Sequence, residues 1–192
     1  MFQTAAAALL LLALAACTSD AAQVCPGAPV ATLTFTGARV DQGVLDPALD
    51  PDPTAPDCAV SLQTENDPEG PYPETLPAFT GAVSTDPQAG TAALCRAAER
   101  AQPLYGTLVS GRLSVETATD GAVLGDPCAE GCVATLALSV RGAFTGTGET
   151  LRFDGAVVER LAVRAGASCG KCVLPCATRY AVMGLPAGGA SP

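Results

Sequence analysis

The chain has 192 residues, with 10 Lys or Arg against 19 Asp or Glu and no histidine. Lacking imidazole, it cannot build a Ser-His-Asp or Cys-His system and misses the commonest nitrogen ligand for metals. A formal charge of -9 argues against nucleic acid or an anionic lipid surface as partner, since both require clustered Lys and Arg.

An uncharged apolar run from Ala5 to Leu14 opens the chain and passes through small residues to Cys17. The run is about half of the roughly 20 residues that span a bilayer, and small residues before a cut are what a cleaved signal requires. The segment Leu14-Ala15-Ala16-Cys17 resembles the lipobox of bacterial lipoproteins. That resemblance implies cleavage before Cys17, a lipid on its sulfur and acyl chains such as palmitate on the new amino terminus. The implied location is the bacterial cell envelope, and the implied partner is a membrane reached through the N-terminal lipid. Thr18 and Ser19 stand where some bacteria place an aspartate that retains a lipoprotein in the inner membrane, so the pattern points to the outer membrane or cell surface. The chain then divides into a signal peptide at 1–16, a linker at 17–28, a single β-rich domain at 29–185 and a tail at 186–192.

Alternation of apolar and polar residues predicts strands at Ala31–Thr36, Val60–Gln63, Arg112–Glu116, Thr135–Arg141, Leu151–Asp154, Val157–Arg164 and Arg179–Met183. Thr145 to Glu149 reads as a hairpin loop. Residues 41–90 hold ten Asp or Glu, no Lys or Arg, and nine of the 16 prolines, which predicts acidic surface loops over most of that stretch. Beyond it, Asp86 or Thr91 can cap a helix that Pro103 ends near Gln102, with Leu94, Ala98 and Ala101 on its apolar face, Cys95 beside them as a bolt and Arg96 and Arg100 solvated. Phe35, Phe79, Phe144 and Phe153 each stand two residues before a glycine, which reads as a large inward side chain followed by a turn or bulge.

Of the nine cysteines, the eight after Cys17 are Cys25, Cys58, Cys95, Cys128, Cys132, Cys169, Cys172 and Cys176. In an exported chain an even set implies four disulfides, whose connectivity the spacing leaves open. Other chemistry is weaker. Cys169-Gly170-Lys171-Cys172 has the spacing of a dithiol redox motif, with Lys171 favouring the thiolate, but it lacks the βαβ setting. Ser168-x-x-Lys171 matches a penicillin-interacting Ser-x-x-Lys without the second lysine such enzymes need. Cys128, Cys132, Cys169 and Cys172 have permissible zinc spacing, though thiolates compete poorly with oxidation outside the cytosol. Asp50-Pro51-Asp52-Pro53 lacks the glycine of a calcium loop.

The residues therefore predict a mainly β, disulfide-stapled domain, an antiparallel sandwich with one short helix, a small barrel being the alternative. No catalytic, cofactor or metal site is read. The expected function is a membrane-anchored exported lipoprotein with a structural or binding role toward an unidentified protein or envelope partner; the alternative is a thiol-disulfide oxidoreductase using Cys169 and Cys172.

Overall fold

The computed structural model describes residues 25–62, 72–97, 102–124, 128–129, 131–170 and 172–188. Cys17, the apolar run before it and Lys171 lie outside the described residues. Eight antiparallel strands follow one another around a closed barrel: β1 (Ala28–Val40), β2 (Thr75–Asp86), β3 (Thr91–Arg96), β4 (Leu104–Val109), β5 (Arg112–Val123), β6 (Val133–Thr145), β7 (Arg152–Val163) and β8 (Cys176–Pro186). Strand β8 pairs with β1 from Leu33↔Pro186 to Val40↔Arg179 and closes the ring. The expected sandwich is thus corrected to its alternative, the barrel. Both architectures bury one face of each strand, so alternation looks the same in either. Pairing between the first and last strands is what separates them.

The inner wall is apolar and draws on every strand. Leu33 and Phe35 of β1 meet Val83, Leu94, Leu104, Leu113, Val115, Val140, Phe153, Val157, Tyr180 and Val182 in one cluster. Eight strands leave an interior just wide enough for side chains to fill, so this barrel has a packed core. The four phenylalanines meet there: Phe35 stacks on Phe79 with centroids 4.8 Å apart and meets Phe153 edge-on at 5.6 Å, and Phe144 meets Phe153 at 5.3 Å. Edge-on and offset-stacked contacts between rings add to plain burial.

Local chemistry accounts for most of the connections. Strands β4 and β5 join through Ser110 and Gly111, both at positive φ, which is the two-residue turn matched to strand twist. The β6–β7 hairpin expected at Thr145–Glu149 is present, its loop carrying a 3-10 turn at Gly148–Thr150. Three elements differ from expectation. Where the helix expected up to Gln102 would begin, the chain forms β3 over Thr91–Arg96, preceded by a turn in which Asp86 Oδ1 accepts from the Gln88 and Ala89 amides at 3.0 and 3.1 Å, while Ala98, Arg100 and Ala101 lie outside the described residues. At Val60 and Ser61, where a strand up to Gln63 was expected, stands the helix α1 (Cys58–Ser61), capped by the Asp57 carboxylate accepting from Ala59 N; Gln63 lies outside the described residues. Within the acidic stretch, Thr75–Asp86 forms β2 instead of loop.

The part of the acidic segment from Leu45 to Ala55 packs on the outside of the barrel. Leu45, Leu49 and Ala55 lie on the outward side chains Ala156, Val158 and Ala177 of β7 and β8. A buried ion pair pins it: Arg179 Nε lies 2.5 Å from Asp50 Oδ2, with side chains 0% and 2% exposed. The other nitrogens of Arg179 donate to the carbonyls of Ala177, Asp52 and Ala55 at 3.1, 2.8 and 2.9 Å. A buried guanidinium is tolerated when its donors are satisfied in this way.

Candidate functional site: an outer groove and a polar barrel mouth

The eight cysteines that follow Cys17 form four disulfides. Cys25–Cys95 straps the segment before β1 to the outer wall of β3, with Cα atoms 5.6 Å apart. Cys95 was expected to bolt a helix and instead bolts the chain's N-terminal segment to a strand. Cys58–Cys176 ties α1 to the start of β8. Cys128–Cys172 and Cys132–Cys169 stitch the β5–β6 connection to the β7–β8 connection, assisted by the backbone bond from Ala129 N to Cys169 O at 3.4 Å. The four cysteines singled out for zinc are therefore brought together, as two disulfides. Cys169 and Cys172, singled out as a redox pair, are bonded to different partners, and Ser168 is exposed beside them.

On the outer wall a groove of about 480 Å³ runs between β5, β6 and β7 and the loop that Arg179 pins. Its position follows from side-chain size. Glu116 pairs across to Ser139 and on to Val158, while one row further along Ala118 pairs to Ala137 and on to Arg160. Alanines and a serine leave a dip between the longer side chains, and Pro51 and Asp52 form the wall. Arg160 Nε lies 2.9 Å from Asp52 Oδ2, and Thr54 donates to Asp52 Oδ1 at 3.0 Å. Against an opposing push from burial, the Thr54 hydroxyl and the Arg160 charge hold the Asp52 carboxyl below its ordinary value. On the opposite rim Glu116 is 71% exposed and stands 3.9 Å from Arg141, beyond hydrogen-bond length.

Inside the barrel, at the end crossed by Cys58–Cys176, a polar cluster interrupts the apolar wall. Glu159 pairs across to Thr178 of β8 and is two residues from the inward Val157 and Leu161. Arg96 of β3 is the positive charge that acts on it, and the Arg96 Nε is buried without a hydrogen bond. Arg96 was expected to be solvated; two residues on from the inward Leu94, it is turned inward by the strand's alternation. Burial raises the Glu159 carboxyl above its ordinary value, with Arg96 partly offsetting the effect. Burial, reinforced by Glu159, likewise raises the Tyr72 and Tyr180 phenols. The Tyr180 hydroxyl donates to the Pro73 carbonyl at 3.3 Å.

Sequence reasoning missed the groove and the mouth. A signal for the mouth was present, since Val157-Val158-Glu159-Arg160-Leu161 places an acid at an inward position of the alternation. None marked the groove, because Glu116 and Arg160 become neighbours only through the pairing of three strands. No protein-family model, curated protein or solved structure matches the chain.

Proposed function

We propose that this chain is an exported lipoprotein, held in a bacterial envelope membrane by acyl chains on Cys17, whose barrel serves a binding or structural role and carries out no catalysis. The observation that supports this reading is the cysteine arithmetic: the eight cysteines after Cys17 bridge one another, which leaves Cys17 without a disulfide to make within the chain. Four disulfides suit an oxidising compartment. The charged outer wall, with Glu116, Arg141, Asp154 and Arg160, is the reverse of a lipid-facing barrel, so attachment falls to the N-terminal lipid. From Cys17 to the strap at Cys25 the chain reaches at most about 30 Å, taking roughly 3.3–3.6 Å per residue, which keeps the barrel close to the membrane surface.

Replacing Cys17 with Ser should move the protein from the membrane to the soluble fraction. The intact mass of the wild-type protein should show mature residues 17–192 plus the acyl groups and, after alkylation without reductant, no modified thiol. Membrane retention of the Cys17→Ser protein refutes the anchor. A pair of cysteines that opens under mild reductant and exchanges with substrate disulfides would favour the oxidoreductase instead.

A further inference from the structure

We infer that the groove between β5, β6, β7 and the Pro51–Asp52 wall binds a short peptide of three small residues by its free ends, the ammonium at Glu116 and the carboxylate at Arg160. This inference rests on the binding role proposed above, and not on the anchor. Three features of the groove carry it. Charges of opposite sign stand at its two ends with unused capacity: the Glu116 carboxylate is beyond hydrogen-bond length of Arg141, and among the described residues the terminal nitrogens of Arg160 make no hydrogen bond while Nε holds Asp52. The spacing suits a peptide. Neighbouring strands lie about 4.8 Å apart and residues rise about 3.3 Å along each, so Glu116 and Arg160, two strands apart and offset by two residues, are separated across the floor by roughly 12 Å. Three extended residues, at about 3.3–3.6 Å each, with a hydrogen bond at either end, cover that span.

The floor sets the side-chain class. Ala118, Ala137 and Ser139 leave room for methyl-sized groups and offer an apolar surface with one hydroxyl. The wall is also held in place in advance, because Arg179 grips the Asp50 carboxylate and the Asp52 and Ala55 carbonyls from below. A site whose wall is already fixed loses less entropy on binding. Asp52 stands near the carboxylate end, but one of its oxygens is held by Arg160 Nε and the other accepts from the Thr54 hydroxyl, which leaves the terminal nitrogens of Arg160 for the ligand. Both end groups remain partly in water, so the affinity expected is modest, with a dissociation constant of about 0.1–1 mM.

The test uses the ¹⁵N-labelled full chain, purified from whichever fraction contains it, and amide shifts on titration with Ala-Ala-Ala, N-acetyl-Ala-Ala-Ala and Ala-Ala-Ala-amide. The free tripeptide should give saturable shifts at 116–118 and 137–139, and capping either end should weaken binding about tenfold. Glu116→Gln should weaken the free peptide by a similar factor and leave the N-acetyl peptide unchanged, which ties the ammonium to that carboxylate. Ala137→Leu, which fills the floor from the outer surface, should abolish the shifts while the dispersed spectrum persists. Equal affinity for free and capped peptides, no saturable shift at these positions up to about 10 mM, or binding that survives Ala137→Leu would overturn the inference. The Cys17 fractionation result bears on none of these outcomes, so the two readings fail separately.

Discussion

Gly142 and Gly155 face each other across β6 and β7, and the ring of Phe153 occupies the room their missing side chains leave. A Cβ on Gly142 would sit 2.5 Å from Phe153 Cζ and would also collide with the Asp154 carbonyl, while one on Gly155 would sit 2.9 Å from the same ring. Gly142→Ala should therefore destabilise the barrel by about 1–3 kcal/mol through overpacking, measurable as a lower urea midpoint with unchanged slope. The Phe-x-Gly pattern was visible in the sequence, and its reading as an inward ring followed by glycine holds for Phe153 and Gly155. For this pair the glycine's purpose is a different one. Gly155 lies within a regular stretch of β7 and makes space for a ring instead of turning the chain. Strand alternation reports which way a residue points; it does not report whose ring needs the space.

At the scale of elements, legibility followed length and composition. Strands β1 and β5 to β8 are 11 to 13 residues long and each contains an alternating stretch, interrupted in β7 and β8 by residues buried on both faces, so their cores were readable. Strand β3 is six residues of Thr-Ala-Ala-Leu-Cys-Arg, whose alanines favour helix and whose preceding Asp86 looks like a cap. Asp86 caps a turn instead, and pairing on both sides overrides propensity. Strand β2 was masked by Pro77 and by its acidic surroundings, and β4 by its brevity and by Gly106, which admits the Ser114 carbonyl where a Cβ would collide with it. Helix α1, with only four residues, is too short to hold its shape by propensity and depends on Cys58–Cys176. Replacing Cys58 and Cys176 together with Ala should cost about 2–4 kcal/mol. Amide exchange should then show the segment from Pro56 to Leu62 opening before the sheet does.

For the molecule as a whole, closure decides what an ionisable group inside the wall does to stability. Glu159 faces Arg96, Thr178, Tyr72 and Tyr180 in the polar mouth, and burial holds its carboxyl above the ordinary value. In the window from that ordinary value up to the raised one, the folded state binds more protons than the unfolded state. Stability must then fall as pH rises through the window and level off above it. Glu159→Gln should remove this slope and raise the melting temperature at pH 7 relative to wild type, with the two proteins converging in acid. A mutant that melts lower than wild type at neutral pH would show that the Arg96 attraction outweighs desolvation. At this scale the mainly β, four-disulfide character was readable from cysteine count and periodicity. Ring closure was not, because the contacts between β1 and β8 join residues such as Phe35 and Gly184 that no local pattern relates. The same closure gives the Cys25–Cys95 strap a mechanical meaning. Strand β1 borders the seam where the ring's two ends meet, and traction on the N-terminal segment would otherwise peel that seam open one rung at a time. With sulfur grafting Cys25 onto β3, tension enters the wall two strands away from the seam, and the barrel has to be sheared as a block before it can be unzipped.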